Sequence, residues 1–253
     1  MLTLSQDILM LVLIMASSLG FMALLNRIWP CERRNVQNDL IGWQLNMLGT
    51  TYAVILGFML YTVWTSFGAA DLNTDLEASA LRNVYRLAEG LPSLQRARLE
   101  MLARAYADAA IHQDWPEMAR GQVPEQTQEI NDEMWKTLMS VKTASPSEII
   151  AEDHALSELS ELTTHRRTRL LQSVSQLPFI LWCVLFVGGI LTIVSVTMFG
   201  SANFRFHALQ VFSITLLIAL SMLAIADINQ PFRGWVCISN YAFERAQMNM
   251  RAQ

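Results

Sequence analysis

Charge is scarce in this 253-residue chain: 16% of its residues are Asp, Glu, Lys or Arg, and 53% are hydrophobic. Ordinary soluble domains carry about 25% charged and 45–50% apolar residues, so a purely soluble globule is excluded as the first reading. Positive charge is in deficit as well, with 18 basic against 22 acidic residues and a formal net charge of -4. No excess of Lys and Arg exists to displace counterions from a phosphate backbone, so nucleic acid is not an expected partner. Cysteine is limited to Cys31, Cys183 and Cys237, which share no C-x-x-C spacing. Neither a disulfide framework nor a thiolate metal site follows from them. His112, His154, His165 and His207 lack H-E-x-x-H or other ligand spacing. With no Gly-rich phosphate loop and no G-x-S-x-G elbow, the chain reads as no enzyme, with no cofactor and no bound metal.

What the chain does have is long runs without charge. Ile8–Asn26, Leu40–Ala70, Leu170–Phe204 and Phe206–Ala226 contain no Asp, Glu, Lys or Arg. About 20 apolar residues in a helix cross roughly 30 Å of hydrocarbon, so each run is long enough to span a bilayer. The expected spans lie near 8–27, 42–66, 178–199 and 207–228. Asp7 is the only charge ahead of the first run, which lacks the basic start of a cleaved signal peptide and reads as a retained helix.

Residues 71–169 differ in kind, with 17 acidic and 11 basic residues. Leu72, Leu76, Ala80, Val84, Leu87 and Leu91 recur every three or four positions and predict a helix running straight out of the second span. Leu91-Pro92 ends it, because the residue before proline is pushed out of the α region. A helix is expected from about 94 to 112, with Leu99, Leu102, Tyr106 and Ala109 inward. Asp114-Trp115-Pro116 and Gly121 then read as breaks. Pro124 opens the next helix, striped by Ile130, Met134, Leu138 and Val141. Ser145-Pro146-Ser147-Glu148 forms a capping box for the last helix, which turns Ile149, Leu156, Leu159 and Leu162 inward. No strand pattern or repeat interrupts this, so the fold class is all-α: four transmembrane helices with an extramembrane helical bundle inserted between the second and third. The expected domains are 1–70 with the first two spans, 71–169 as the bundle, 170–230 with the last two spans, and 231–253 as a C-terminal tail.

Blocks spread along the chain carry a resemblance. They are Pro30-x-Glu32-Arg33-Arg34 with Asn38-Asp39, Tyr52-Ala53-Val54-x-x-Gly57, Glu77-Ala78-x-x-Leu81 and Tyr85-Arg86-Leu87-Ala88. Trp115 to Gly121, Arg166-Arg167-x-Arg169-Leu170, Leu177-Pro178-x-x-Leu181-Trp182, Gly189-x-Leu191-Thr192-Ile193, Asn229-x-Pro231-Phe232-x-Gly234 and Phe243-Glu244 continue them in order. Together they resemble the bestrophin-like family of unknown function. That family is similar to bestrophin anion channels in having four membrane helices with a helical insert between the second and third. The resemblance implies a homo-oligomeric integral membrane protein of the bacterial inner membrane, an ion channel or pore, with the bilayer, further copies of the chain and inorganic ions as partners.

The second span supplies the candidate site. Gly49, Ala53 and Gly57 form a small-xxx-small seam that lets two helix backbones approach closely in lipid, either within one subunit or between subunits. Thr51, Ile55, Phe58, Thr62 and Thr65 share one helical face. Hydroxyls on such a face can replace an ion's water, and apolar side chains such as Ile55 and Phe58 can close a pore by dewetting. Thr residues bonded to neighbouring helices would leave the same trace. Polar clusters mark the membrane ends: Glu32, Arg33, Arg34, Asn38 and Asp39 in the first hairpin, and Asp227 and Asn229 at the end of the fourth span, where Asp227 is within reach of pairing with Arg233. The alternative function is a membrane-anchored sensory or interaction module whose bundle binds a partner or ligand. For orientation, the charges flanking the first span favour a cytoplasmic hairpin with termini and bundle outside. The bestrophin analogy implies the reverse, a cytoplasmic bundle.

Overall fold

The computed structural model describes residues 4–142 and 145–251, and no strand occurs among them. In chain order the helices are α1 (Leu4–Ile28), α2 (Cys31–Arg34), α3 (Asn38–Leu87), α4 (Ser93–Ala109), α5 (Trp115–Ala119), α6 (Gln126–Met139), α7 (Pro146–Val174), α8 (Phe179–Thr197), α9 (Phe204–Ile228) and α10 (Tyr241–Arg251). Four helical stretches are long and apolar enough to cross a membrane: Ser5–Ile28, a window within Cys31–Gly90, Phe179–Thr197 and Phe204–Ile228. The chain divides into two compact units, Met1–Trp64 with Leu177–Asn229, and Thr65–Gln176 with Gln230–Gln253. The 50-residue α3 contributes to both.

In the first unit α9 packs against both α1 and α8. Val63, Leu185 and Ile225 form one small core, and Met22, Val196 and Val211 another. Apolar side chains cover most of the remaining surface, including Ile8, Leu13, Trp43, Phe58, Trp64, Phe186 and Leu217. That is the expected dress of helices that meet hydrocarbon, where no hydrophobic force drives helices together and close packing must do so.

The second unit is built like a soluble bundle. Its core joins Leu81, Val84, Leu99, Leu102, Tyr106, Met134, Leu138, Leu159, Leu162, Phe243 and Met250, all buried. The break at Leu91-Pro92 is present: α3 tightens into a 3-10 turn at Ala88–Gly90 and Leu91 is extended. The Ser145–Glu148 capping box is present too, each partner closing the other's backbone N–H.

Three parts of the bundle differ from the sequence reading. Asp114-Trp115-Pro116 does not break the chain; a π turn at Ala110–Asp114 carries α4 into α5. Pro116 falls in the first turn of α5, where its missing N–H is not needed. Leu72 and Leu76 are exposed, and so is Ile149. The buried face of α3 instead carries Asn73, Thr74 and Glu77, each held by a hydrogen bond. Residues 231–253, read as a tail, belong to the second unit: α10 buries Phe243, Ala246 and Met250. Trp115 Nε1 donates to the Ile238 carbonyl at 3.0 Å, and Arg233 Nε donates to Ala119 O at 3.1 Å. Gly121 lets that contact form, since its φ of 77° suits glycine and a Cβ there would lie 2.5 Å from the Arg233 guanidinium.

Candidate functional site

The pore-face residues all lie on the first two-thirds of α3, but the chain itself does not cover them. Thr51, Phe58, Thr62 and Thr65 are exposed and Ile55 is half-buried. Phe58, with 64% of its surface free, is no part of an intrachain core. Thr62 Oγ1 bonds back to Phe58 O at 2.8 Å, which satisfies the hydroxyl within the helix. Thr51 and Ile55 line a groove of about 370 Å³ against Cys183, Val187, Gly188 and Leu191 of α8.

The seam behaves differently from its motif. A methyl added at Gly49 or Gly57 would meet nothing within 4 Å. Close backbone approach occurs one residue to the side, where Tyr52 presses its ring onto Gly188 and Gly189 of α8. A Cβ at Gly188 would fall 2.5 Å from Tyr52 Cδ2, and one at Gly189 3.0 Å from the hydroxyl. Tyr52 Oη then donates to Leu185 O at 2.9 Å. The small residues that α3 needs for this contact are therefore on α8; the adjacent Gly188-Gly189 pair was the available signal.

The first hairpin is a clamp rather than a loose loop. Pro30 ends α1 and sets the entry to α2. Arg34, fully buried, donates to Thr197 O at 3.0 Å and to Asn26 Oδ1, while its Nε has no partner. A guanidinium there meets the free carbonyls and negative dipole end of α8. Asn38 exchanges two hydrogen bonds with the Gly200 backbone, Nδ2 to O at 2.8 Å and N to Oδ1 at 2.9 Å. Glu32, Arg33 and Asp39 remain exposed. At the end of α9, Asp227 is half-buried and Asn229 Oδ1 accepts from the Leu177 N–H at 3.1 Å, fastening the start of the α8 segment. Arg233, the counter-charge considered for Asp227, folds with the second unit.

The second unit holds an ionic cluster that sequence reasoning missed. Arg169 and Glu77 are both wholly buried and meet through two hydrogen bonds of 2.7 and 3.0 Å. Arg169 also donates to Asp114 Oδ2 at 2.7 Å and stands 5.1 Å above the Trp115 ring. Tyr106 donates to Glu77 at 2.7 Å. Thr127 donates to Asp114 Oδ2 at 2.8 Å and accepts from Arg166 Nε at 2.8 Å, so the network continues to Gln128 and the Pro124 carbonyl. Asp114 Oδ1 alone is left without a partner.

Electrostatics follow from this packing. Burial alone would lower the Arg169 pKa, but the Glu77 carboxylate and its hydrogen bonds, then Asp114, outweigh it and hold the guanidinium above its ordinary value. Burial first, and the Glu77 charge second, push the Tyr106 phenol well above its usual range. Two carboxylates face two guanidiniums, so the cluster is formally neutral. With each charge turned on an opposite partner, the chemistry available is positioning: it ties α3 to α4, α6, α7 and the π turn. A signal was present in the sequence. Ala155, Leu159, Leu162, Arg166 and Arg169 fall at alternating spacings of four and three, as do Ala70, Asn73, Glu77, Leu81, Val84 and Ala88. Charged residues standing in register on an apolar stripe mark buried ion pairs.

Several residues of these contacts belong to the blocks that resemble a known family: Arg34, Asn38, Tyr52, Gly189, Glu77, Trp115, Arg166, Arg169 and Phe243. Among solved structures, the chain is similar to a bacterial bestrophin homolog from Klebsiella pneumoniae, solved by zinc phasing, at 15% identity and a TM-score of 0.68, covering 97% of this chain and 99% of that one. Two single-substitution variants of a bestrophin homolog from the same organism match with TM-scores of 0.72 and 0.69 at 14% and 16% identity, over 95% and 94% of this chain and 99% of each of theirs. At such identity these likenesses speak for the fold. No curated protein sequence matches the chain. A family model described as the bestrophin-like domain matches residues 12–243. Given that match and four apolar helices of spanning length, the chain is an integral membrane protein and belongs to the bestrophin-like family.

Proposed function

We propose that the protein is a homo-oligomeric ion channel in which the α3 helices of several copies surround a common axis, with anions as the expected permeant ions. The observation that carries this reading is the state of α3 in the single chain. Its membrane stretch leaves Trp43, Met47, Val54, Phe58, Tyr61 and Trp64 uncovered, and the same stretch carries exposed Thr51, Thr62 and Thr65. A helix with that mixture gains most by facing other copies of itself on one side and water on another. The open space at Gly49 and Gly57 supports a second copy as the seam's partner. Thr51, Ile55, Phe58, Thr62 and Thr65 then line the path, with Phe58 as its apolar constriction. By the charges flanking α1, the hairpin faces the cytoplasm and the bundle lies outside.

Ion flux into liposomes containing the purified full-length protein tests the reading, alongside native mass measurement of the oligomer. Phe58→Ala is the informative variant. Because Phe58 is not packed within the chain, its truncation leaves no core cavity, and thermal stability should hold while flux rises. An intact oligomer that passes no ion at any voltage, pH or calcium concentration sinks the channel reading. A destabilised, non-conducting Phe58→Ala variant removes this face from the pore.

A further inference from the structure

On the side of the first unit formed by α1, α8 and α9 lies a cavity of about 510 Å³, lined among others by Ile14, Phe21, Phe186, Ile190, Thr215 and Met222. Its size falls in the range of small-molecule sites, which bury mostly apolar surface around a few fixed polar groups. None of its lining residues is Asp, Glu, Lys or Arg, so a charged occupant would find no counter-charge.

One polar atom distinguishes this cavity from a seam that merely lacks a neighbour. Thr215 is wholly buried and its Oγ1 has no hydrogen-bond partner. Hydroxyls in membrane helices ordinarily bond back to the carbonyl of the preceding turn. Ser17 and Ser18, which share the lining, do so to Ile14 and Met15; Ser213 and Ser221 on α9 itself do so to Leu209 and Leu217. Thr215 does not, and an unmade hydrogen bond in an apolar setting is costly.

The depth of Thr215 selects the class of partner. It is twelfth of the 25 residues of α9, roughly 16 Å from the helix start at 1.5 Å per residue, near the middle of the span. The ester carbonyls of a bilayer lipid sit at the edge of a hydrocarbon core roughly 30 Å thick, about half that thickness away. We propose that this cavity binds a neutral lipophile whose single hydrogen-bonding oxygen, a ketone or hydroxyl carried within a hydrocarbon skeleton, bonds to Thr215. The site is separate from the α3 face and does not depend on ion conduction.

A photoreactive long-chain ketone bearing a diazirine, and the matching hydrocarbon without the oxygen, serve as probes on the full-length protein in phosphatidylcholine vesicles. Peptide mapping after irradiation should show saturable labelling of α1, α8 and α9 around the cavity, displaced by unlabelled ketone and several-fold stronger for the ketone than for the hydrocarbon. Thr215→Val, which keeps the shape and removes the hydroxyl, should abolish that preference with thermal stability unchanged or raised. Ile190→Trp, which fills the mouth from an exposed position, should suppress labelling by both probes. Labelling that is unsaturable and spread over all lipid-facing helices, a ketone preference that survives Thr215→Val, or crosslinks showing a second copy of the chain seated in the cavity would each overturn the proposal.

Discussion

Arg169 grips Glu77 with two nitrogens, at 2.7 and 3.0 Å, in a place where neither side chain has any surface open to solvent. A buried pair of this kind is expensive to assemble and more expensive to break, because removal of one charge strands the other. Arg169→Met strands both Glu77 and Asp114. It should lower the unfolding free energy of the protein by about 3–5 kcal/mol, read by thermal or denaturant unfolding in detergent. Adding Glu77→Leu should restore only part of the loss, since Asp114 stays unpaired. A loss under about 1 kcal/mol for Arg169→Met would mean that the cluster is not the tie between α3 and the rest of its unit.

Tyr106 makes the same cluster sensitive to alkali. Its phenol is held above the ordinary value of 10.0 by burial and by Glu77. Below pH about 10 both folded and unfolded chains keep the proton, and the contribution to stability is whole. As pH rises beyond that, the unfolded chain releases a proton that the folded chain retains, so stability falls until the raised folded value is passed. Tyr106→Phe should flatten this alkaline decline. It should also cost about 1.5–3 kcal/mol at neutral pH for the lost bond to a charged acceptor. Unfolding midpoints from pH 8 to 11 compare the two proteins, and equal slopes would contradict the assignment.

Glycines on the two facing helices should respond in opposite ways. Gly188→Ala drives a methyl into the Tyr52 ring and should destabilise the chain by about 1–3 kcal/mol. Gly49→Ala and Gly57→Ala meet open space within the chain and should leave its unfolding unchanged, or raise stability by up to about 1 kcal/mol through helix propensity. If a second copy packs on that seam, those two variants will instead shift native mass spectra toward smaller assemblies. Unaltered assembly in both would place the subunit contact elsewhere.

Periodicity and charge were enough to read the helical class, the four apolar stretches, the stop at Leu91-Pro92 and the Ser145 capping box. Each depends on neighbours within one turn or on the length of a single run, so local sequence carries the whole cause. The stripe on α3 was harder. Leu72 and Leu76 fit an apolar period, yet Asn73 and Glu77 take the inside because partners from α7, His165 and Arg169, satisfy them there. Those partners lie 92 residues away in the chain, and no window on α3 contains them.

The same distinction separates what was decided at each level. Sequence by itself determined that the chain is helical, bears membrane-length apolar runs and carries the family's blocks, because composition and local geometry suffice for these. Tertiary structure alone decided that Tyr52 rests on Gly188, that Arg34 closes the end of α8, that α10 returns to fill the bundle core and that Thr215 stands unpaired beside a cavity. Each of these is a contact between distant segments. Its energy depends on which groups meet and which are left without a partner, and only the packed chain settles that.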